Sequence, residues 1–188
     1  MKWNKRFKYP QTIREAIEGE RHYLISDEKL PSVTTILQAT QSEEKKAVLE
    51  NWKKRVGEDN AENIKNTAAN RGSIMHRLIE CYLLDERHMD LTDLGQQADK
   101  MAQIIINEGL KGYMDEIWGT EICLHYPGLY AGASDLAGIC EGRESIMDFK
   151  QSNKPKRREW IEDYFIQLAA YATAHNQVYG TKIQSGTI

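Results

Sequence analysis

LYAGASDLAGICEGRESIMDFKQSNKPKRREWIEDYFIQLAAY, residues 129–171, is the stretch on which the fold turns. It reads as two short strands joined by a turn, then a basic loop, then an amphipathic helix. In the first strand, Ala131 to Ile139, the small residues Ala131, Gly132, Ala133 and Ser134 leave space beside the backbone, and Asp135 sits within it. EGRE is the hairpin turn, and SIMDFK, Ser145 to Lys150, is the second strand. Strand side chains alternate, so Asp148 and Lys150 project to one side while Met147 and Phe149 project to the other. A hairpin brings Asp135 beside them. Two carboxylates converging with an ammonium repel or strain unless a cation sits between the carboxylates. Their hard oxygens suit Mg²⁺ or Mn²⁺. By itself, D-x-K at a strand end is commonly a surface ion pair, so the context has to decide.

Downstream, Lys150, Lys154, Lys156, Arg157 and Arg158 fall between Phe149 and Arg158 with no acidic residue among them. A helix from Arg158 to Tyr179 follows, with Tyr164, Leu168, Tyr171 and His175 on one stripe. Lys182 to Ile188 reads as a last strand that stops abruptly, the pattern of a chain cut short. Upstream, TEICLHY (Thr120 to Tyr126) begins the sheet, with Glu121, Cys123 and His125 on one face and Ile122, Leu124 and Tyr126 on the other. Leu94 to Trp118 has a helical stripe, weakened at its far end by Gly109 and Gly112. Another helix spans Ala61 to Leu84, with Gly72 and His76 one turn apart on a single face. Taken alone, that pair is ordinary close packing with a half-buried histidine. EEKKAVLENWKKRV, Glu43 to Val56, is helical, and LPSVTTIL starts a helix that Ser32 caps. HYLI, His22 to Ile25, is a strand, and TIREAIEGE reads as a short helix.

The totals bound the class. A chain of 188 residues with 40% apolar and 28% charged content is most simply one globular domain. It divides into a helical part over residues 1–60 and a core over residues 61–188. No apolar run approaches the roughly 20 residues of a membrane span, and the basic N-terminus lacks the apolar segment of a secretory signal. Cys81, Cys123 and Cys140 have no CxxC spacing, which points to reduced thiols in a cytoplasmic compartment and away from a zinc or iron–sulfur site. A net charge of −3 argues against coating nucleic acid by bulk charge but leaves room for a local basic groove. Helices, antiparallel strands, then a helix and a further strand make an α+β fold. Because a helical crossover reaches the last strand, the central sheet is expected to be mixed and flanked by helices.

GASD, thirteen residues before DFK and followed by QLAAY, resembles the PD-(D/E)xK nuclease superfamily. Within it the pattern is similar to the RecB-type exonuclease branch, which adds an upstream helix histidine and a downstream Q-x-x-x-Y helix. RGSIMH supplies the first, and Gln167 with Tyr171 supplies the second. LPSVTTIL and LENWKKR also resemble the mitochondrial genome maintenance exonucleases and their phage and bacterial relatives. The chain departs from the superfamily pattern in having serine before Asp135 where the motif has proline.

The resemblance implies an α/β/α restriction-endonuclease-like core and a Mg²⁺- or Mn²⁺-dependent deoxyribonuclease acting on single-stranded DNA or DNA ends. It implies His76, Asp135, Asp148 and the Phe149 carbonyl as metal ligands, with Lys150 as the catalytic lysine. Gln167 and Tyr171 would position DNA or the metal-site residues. Glu121 is either an acid that supports the metal ligands or holds a second metal, or a surface glutamate. Lys154, Lys156, Arg157 and Arg158 would contact phosphates, without a base-reading motif, and Tyr and Trp rings near the groove would stack on unpaired bases. The rival readings are a catalytically inactive nucleic-acid-binding protein of the same fold and an interaction module in which D-x-K is a surface ion pair.

Overall fold

The hairpin lies inside a five-stranded mixed sheet. The computed structural model describes residues 1–17 and 20–188. In chain order it contains β1 (Lys2–Trp3), β2 (Ile13–Ile17), β3 (Glu20–Ile25), β4 (Glu28–Pro31), α1 (Val33–Ala39), α2 (Glu43–Val56), α3 (Glu58–Leu83) and α4 (Asp93–Ile104). A π-helical turn (Ile105–Leu110) leads to β5 (Met114–Tyr126), β6 (Tyr130–Cys140) and β7 (Arg143–Met147). A 3-10 turn (Arg158–Trp160), α5 (Glu162–Tyr179) and β8 (Ser185–Thr187) complete it. Two compact units result, residues 1–37 with 107–188, and residues 38–106.

In the first unit the sheet order is β1-β5-β6-β7-β8. The β5–β6 and β6–β7 pairs are antiparallel, and the outer pairs β1–β5 and β7–β8 are parallel. This is the α+β class with a mixed central sheet that the element order predicts. The β6–β7 turn is tight because Glu141 (φ 48°) and Gly142 (φ 74°) both take positive φ, as a two-residue type I′ connection requires. The Glu141 N–H donates to the Tyr113 carbonyl at 2.9 Å and the Gly142 N–H to Asp115 Oδ2 at 2.8 Å, tying the turn to the start of β5.

Alternation along β5 gives the sheet two apolar faces. Ile122 and Leu124 join Trp118, Ala137, Ile146 and Ile183 under Leu168, Tyr171 and Ala174 of α5. Cys123 and Ala131 pack instead with Tyr23, Ile25 and Leu30 of the antiparallel β2–β3–β4 sheet. Each fully buried Leu, Ile or Val contributes about 1.5–3 kcal/mol.

At the far end of α5, His175 is wholly buried. The Thr181 hydroxyl donates to Asn176 Oδ1 at 2.8 Å, so at 2.8 Å from His175 Nδ1 it accepts, and Nδ1 carries the proton. Nε2 is then the acceptor for the Tyr9 hydroxyl at 3.0 Å. Burial, then the Arg6 charge, pushes the imidazole down to about 4.

In the second unit, α3 and α4 bury Met75, Ile79 and Leu83 together with Ala98 and Ala102. Thr92 caps α4 by accepting from the Gly95 N–H at 3.0 Å. No helix among the described residues is long and apolar enough to cross a membrane.

Four expectations change. Residues 13–17 of TIREAIEGE form strand β2, paired Ile13 to Leu24 through Ile17 to Glu20; Glu18 and Gly19 lie outside the described residues. Among the described residues, the range 1–60, read as a helical part, therefore contributes β1 to β4 as well as α1, α2 and the start of α3. The helix read to Trp118 ends in the π turn, and Gly112 (φ 84°) redirects the chain into β5. Strand β7 stops at Met147, before Asp148 and Lys150.

Candidate active site

Strand β6 carries Asp135 between two neighbours that hold it. Leu136, one residue after Asp135, pairs with Met147, one residue before Asp148, so the hairpin sets the two aspartates opposite each other. Both are buried, at 5% and 3% exposure. The Thr120 hydroxyl donates to the Asp135 carbonyl at 2.9 Å. The Phe149 N–H donates to Asp135 Oδ2 at 2.5 Å. That bond explains why β7 ends where it does. The Asp148 N–H still reaches the Thr187 carbonyl at 3.1 Å, but the next amide is taken by a carboxylate rather than by a strand carbonyl. Ser134 is fully buried and donates to the Met147 carbonyl at 3.3 Å.

The alternation expected beyond Met147 survives the end of the strand. Lys150 forms an ion pair with Asp148 Oδ2, and Phe149 turns inward. The other Asp148 oxygen accepts from Gln167 Nε2 at 2.9 Å. The same Gln167 nitrogen donates to the Tyr171 hydroxyl at 3.0 Å, so both its hydrogens are engaged. Gln167 and Tyr171, one turn apart on α5, thus fix the orientation of Asp148. Burial pushes the Tyr171 phenol well above its usual range, with the Asp148 charge adding to the rise, so it stays protonated. Its ring rests on Gly132, where a β-carbon would come 2.5 Å from Cε1. Within the open space read from Ala131 to Ser134, the part beside Gly132 is filled by this tyrosine.

Glu121 takes a conformation rare for its type. Between the pairs Thr120–Leu136 and Ile122–Ser134 it adopts φ 50°, in the left-handed region. It lies across the ladder from Asp135, and each offers a carboxylate oxygen within 4.8 Å of the other. Two facing carboxylates at that separation repel, and a hard divalent cation is the partner that suits them. The donor set therefore fits Mg²⁺ or Mn²⁺. The structure groups Asp135 with Glu121, while the Asp148 oxygens are directed to Gln167 and Lys150. His76 is half-buried on α3, in the second unit.

Lys154, Lys156, Arg157 and Arg158 are exposed on the segment between β7 and α5. One residue that sequence reasoning assigned only to a core stripe, Tyr164, is half-buried beside them. Its ring lies 5.2 Å from the Lys150 ammonium and 5.1 Å from that of Lys156, which also donates to its hydroxyl at 2.8 Å. Its spacing of three from Gln167 is the signal that was there to be read.

An α+β chain with a hairpin-borne acidic and lysine cluster, braced by a helix glutamine and tyrosine, is the class that fold and site define. The chain is similar to the protein named Mitochondrial genome maintenance exonuclease 1 from Mus musculus, 30% identical over 172 residues, covering 85% of this chain and 48% of the relative. The Homo sapiens protein of that name is 26% identical and the Xenopus tropicalis one 28%, each over 172 residues and 85% of this chain, covering 48% and 47% of the relatives. The chain thus spans about half the length of the curated relatives it matches. No family model matches it.

Proposed function

We propose that this chain is a metal-dependent DNA exonuclease of the PD-(D/E)xK superfamily, in its RecB-type branch, acting on single-stranded DNA or DNA ends. The observation that carries the reading is the hairpin that sets Asp135 against Asp148 and Lys150, with Asp148 held by Gln167. Similarity to proteins named as exonucleases supports the same reaction class. Asp135 and Asp148, with His76, the Phe149 carbonyl and Glu121, would hold Mg²⁺ or Mn²⁺. When bound, that ion polarises the scissile phosphate and lowers the pKa of a water molecule. Lys150, beside the carboxylates, orients the attacking water or neutralises charge gathering on the phosphate. Gln167 keeps the Asp148 carboxylate in one orientation throughout. Lys154, Lys156, Arg157 and Arg158 hold the substrate backbone, so binding weakens as salt rises. The phosphodiester is cleaved in line by water, without a covalent enzyme intermediate. Reactions of this class serve DNA repair, recombination, replication or phage DNA metabolism, and a cytoplasmic setting goes with them.

The test compares the native chain with Lys150→Ala and Asp135→Ala on end-labelled single strands with Mg²⁺ or Mn²⁺. Loss of digestion in both variants is expected, and equal digestion by all three chains refutes the assignment. Intact Asp135, Asp148 and Lys150 tell against the inactive nucleic-acid-binding alternative, which binding without turnover across several divalent ions would restore.

A further inference from the structure

The turn before α5 and the first turn of α5 itself each expose an aromatic ring that lies outside the buried core. Trp160 is 60% exposed and Phe165 43%. Each lies under a guanidinium, with Arg157 5.3 Å from the Trp160 ring centre and Arg158 5.9 Å from that of Phe165. The Lys150 and Lys156 ammoniums beside Tyr164 make a third cation–ring set, and Lys150 joins that set to Asp148 of the candidate active site. The backbone beneath them is fixed. The Trp160 N–H donates to the Arg157 carbonyl at 3.0 Å and the Ile161 N–H to the Arg158 carbonyl at 3.1 Å, and α5 begins directly after.

We propose that Trp160 and Phe165 form a nucleobase-stacking platform for an unpaired strand. The inference rests on the nuclease reading and extends it to how the substrate is selected. A nucleotide satisfies both members of each pair, since its base is a flat partner for the ring and its phosphate a partner for the guanidinium. Bases in a duplex are already stacked and present only their edges, so the platform favours single strands. The acidic groups nearby are Glu159, Glu162 and Asp163. Arg157 also approaches the exposed Glu159 carboxylate at 3.9 Å, a solvent-exposed ion pair that a phosphate can displace.

Anisotropy titrations of the native chain in EDTA, where no divalent ion is left to support turnover, separate the two layers of the argument. The probes are a labelled single strand, an abasic strand with the same phosphates, and a duplex. Trp160→Ala should weaken binding to the single strand about tenfold and leave the abasic strand unchanged. Phe165→Ala should act in the same sense, and Trp160→Phe should restore most of the loss. Arg157→Ala should weaken all three probes. A Trp160→Ala loss equal on the single and abasic strands, or no loss at all, overturns the platform while the nuclease reading stands. A native chain that binds none of the probes overturns both.

Discussion

Gly132→Ala tests the link from β6 to the carboxylate of Asp148. The added β-carbon would lie 2.5 Å from Tyr171 Cε1, 2.8 Å from its hydroxyl and 3.0 Å from Cζ. The ring is 3% exposed and packed among Leu168, Ala174 and Ile122, so it has no open space to retreat into. Overpacking of this kind costs about 1–3 kcal/mol. Displacing the ring also removes the hydroxyl that accepts from Gln167, a further loss of about 1 kcal/mol. The expected loss is about 2–4 kcal/mol, or a Tm lower by about 4–16 °C for a chain of this size. Thermal and urea unfolding followed by circular dichroism would measure it. The substitution should then be repeated in a Tyr171→Leu background, where the clash is gone and its cost should fall below about 1 kcal/mol. Equal cost in both backgrounds, or none in the native chain, refutes the contact. Gly138→Ala is the contrast: its β-carbon meets the backbone carbonyl of Glu116, and no side-chain change should relieve it.

Three further perturbations follow from the site and the core. Glu121→Gln removes one of two facing carboxylates, so without metal the variant should melt at or above the native Tm, while the stabilisation that Mn²⁺ gives the native chain shrinks; an unchanged Mn²⁺ shift would count against Glu121 as a ligand. Gln167→Leu strips a donor from a buried carboxylate and should cost about 1.5–3 kcal/mol in urea unfolding, with Gln167→Glu at least as damaging because it sets a second acid beside Asp148; stability equal to native in both would exclude the bond. His175 binds its proton more weakly folded, near 4, than unfolded, near 6.5, so the unfolded chain takes up more protons between those values. Its contribution is complete above about pH 6.5, declines as pH falls through that window, and amounts to on the order of 3 kcal/mol. His175→Asn should flatten that slope in urea midpoints read from pH 7 to 4.

The hairpin was legible because its cues were local. A Glu-Gly turn between two apolar runs has few alternatives, and alternation alone put Lys150 and Asp148 on one side. What misled was periodicity without its stop signals. Ile13 and Ile17 stand four apart, as on a helix face, yet Ile13 is exposed and its segment pairs with β3 across a sheet. The stripe from Ala98 runs on into Met114, Ile117 and Trp118, and only the positive φ at Gly112 separates helix from strand. The end of β7 was invisible for a different reason. It depends on a side-chain oxygen of Asp135 capturing the Phe149 amide, which no strand propensity encodes. The Glu121–Asp135 pairing was half legible, since face alternation marked the residue but not its left-handed backbone. Tyr164 was hidden by its neighbours, because a ring between two core positions reads as core.

The I′ turn has a consequence for recognising such chains. The interval between Asp135 and Asp148 is set by how far the two arms run before the chain reverses at Glu141–Gly142, five residue pairs beyond the aspartates. Lengthening both arms equally, or enlarging the loop, leaves the two acids opposite each other. A single residue added within one arm turns that strand's side chains over. Spacing between the two motifs is thus free to drift while the motifs stay intact, and a search pattern with a rigid gap will pass over proteins that carry the same hairpin.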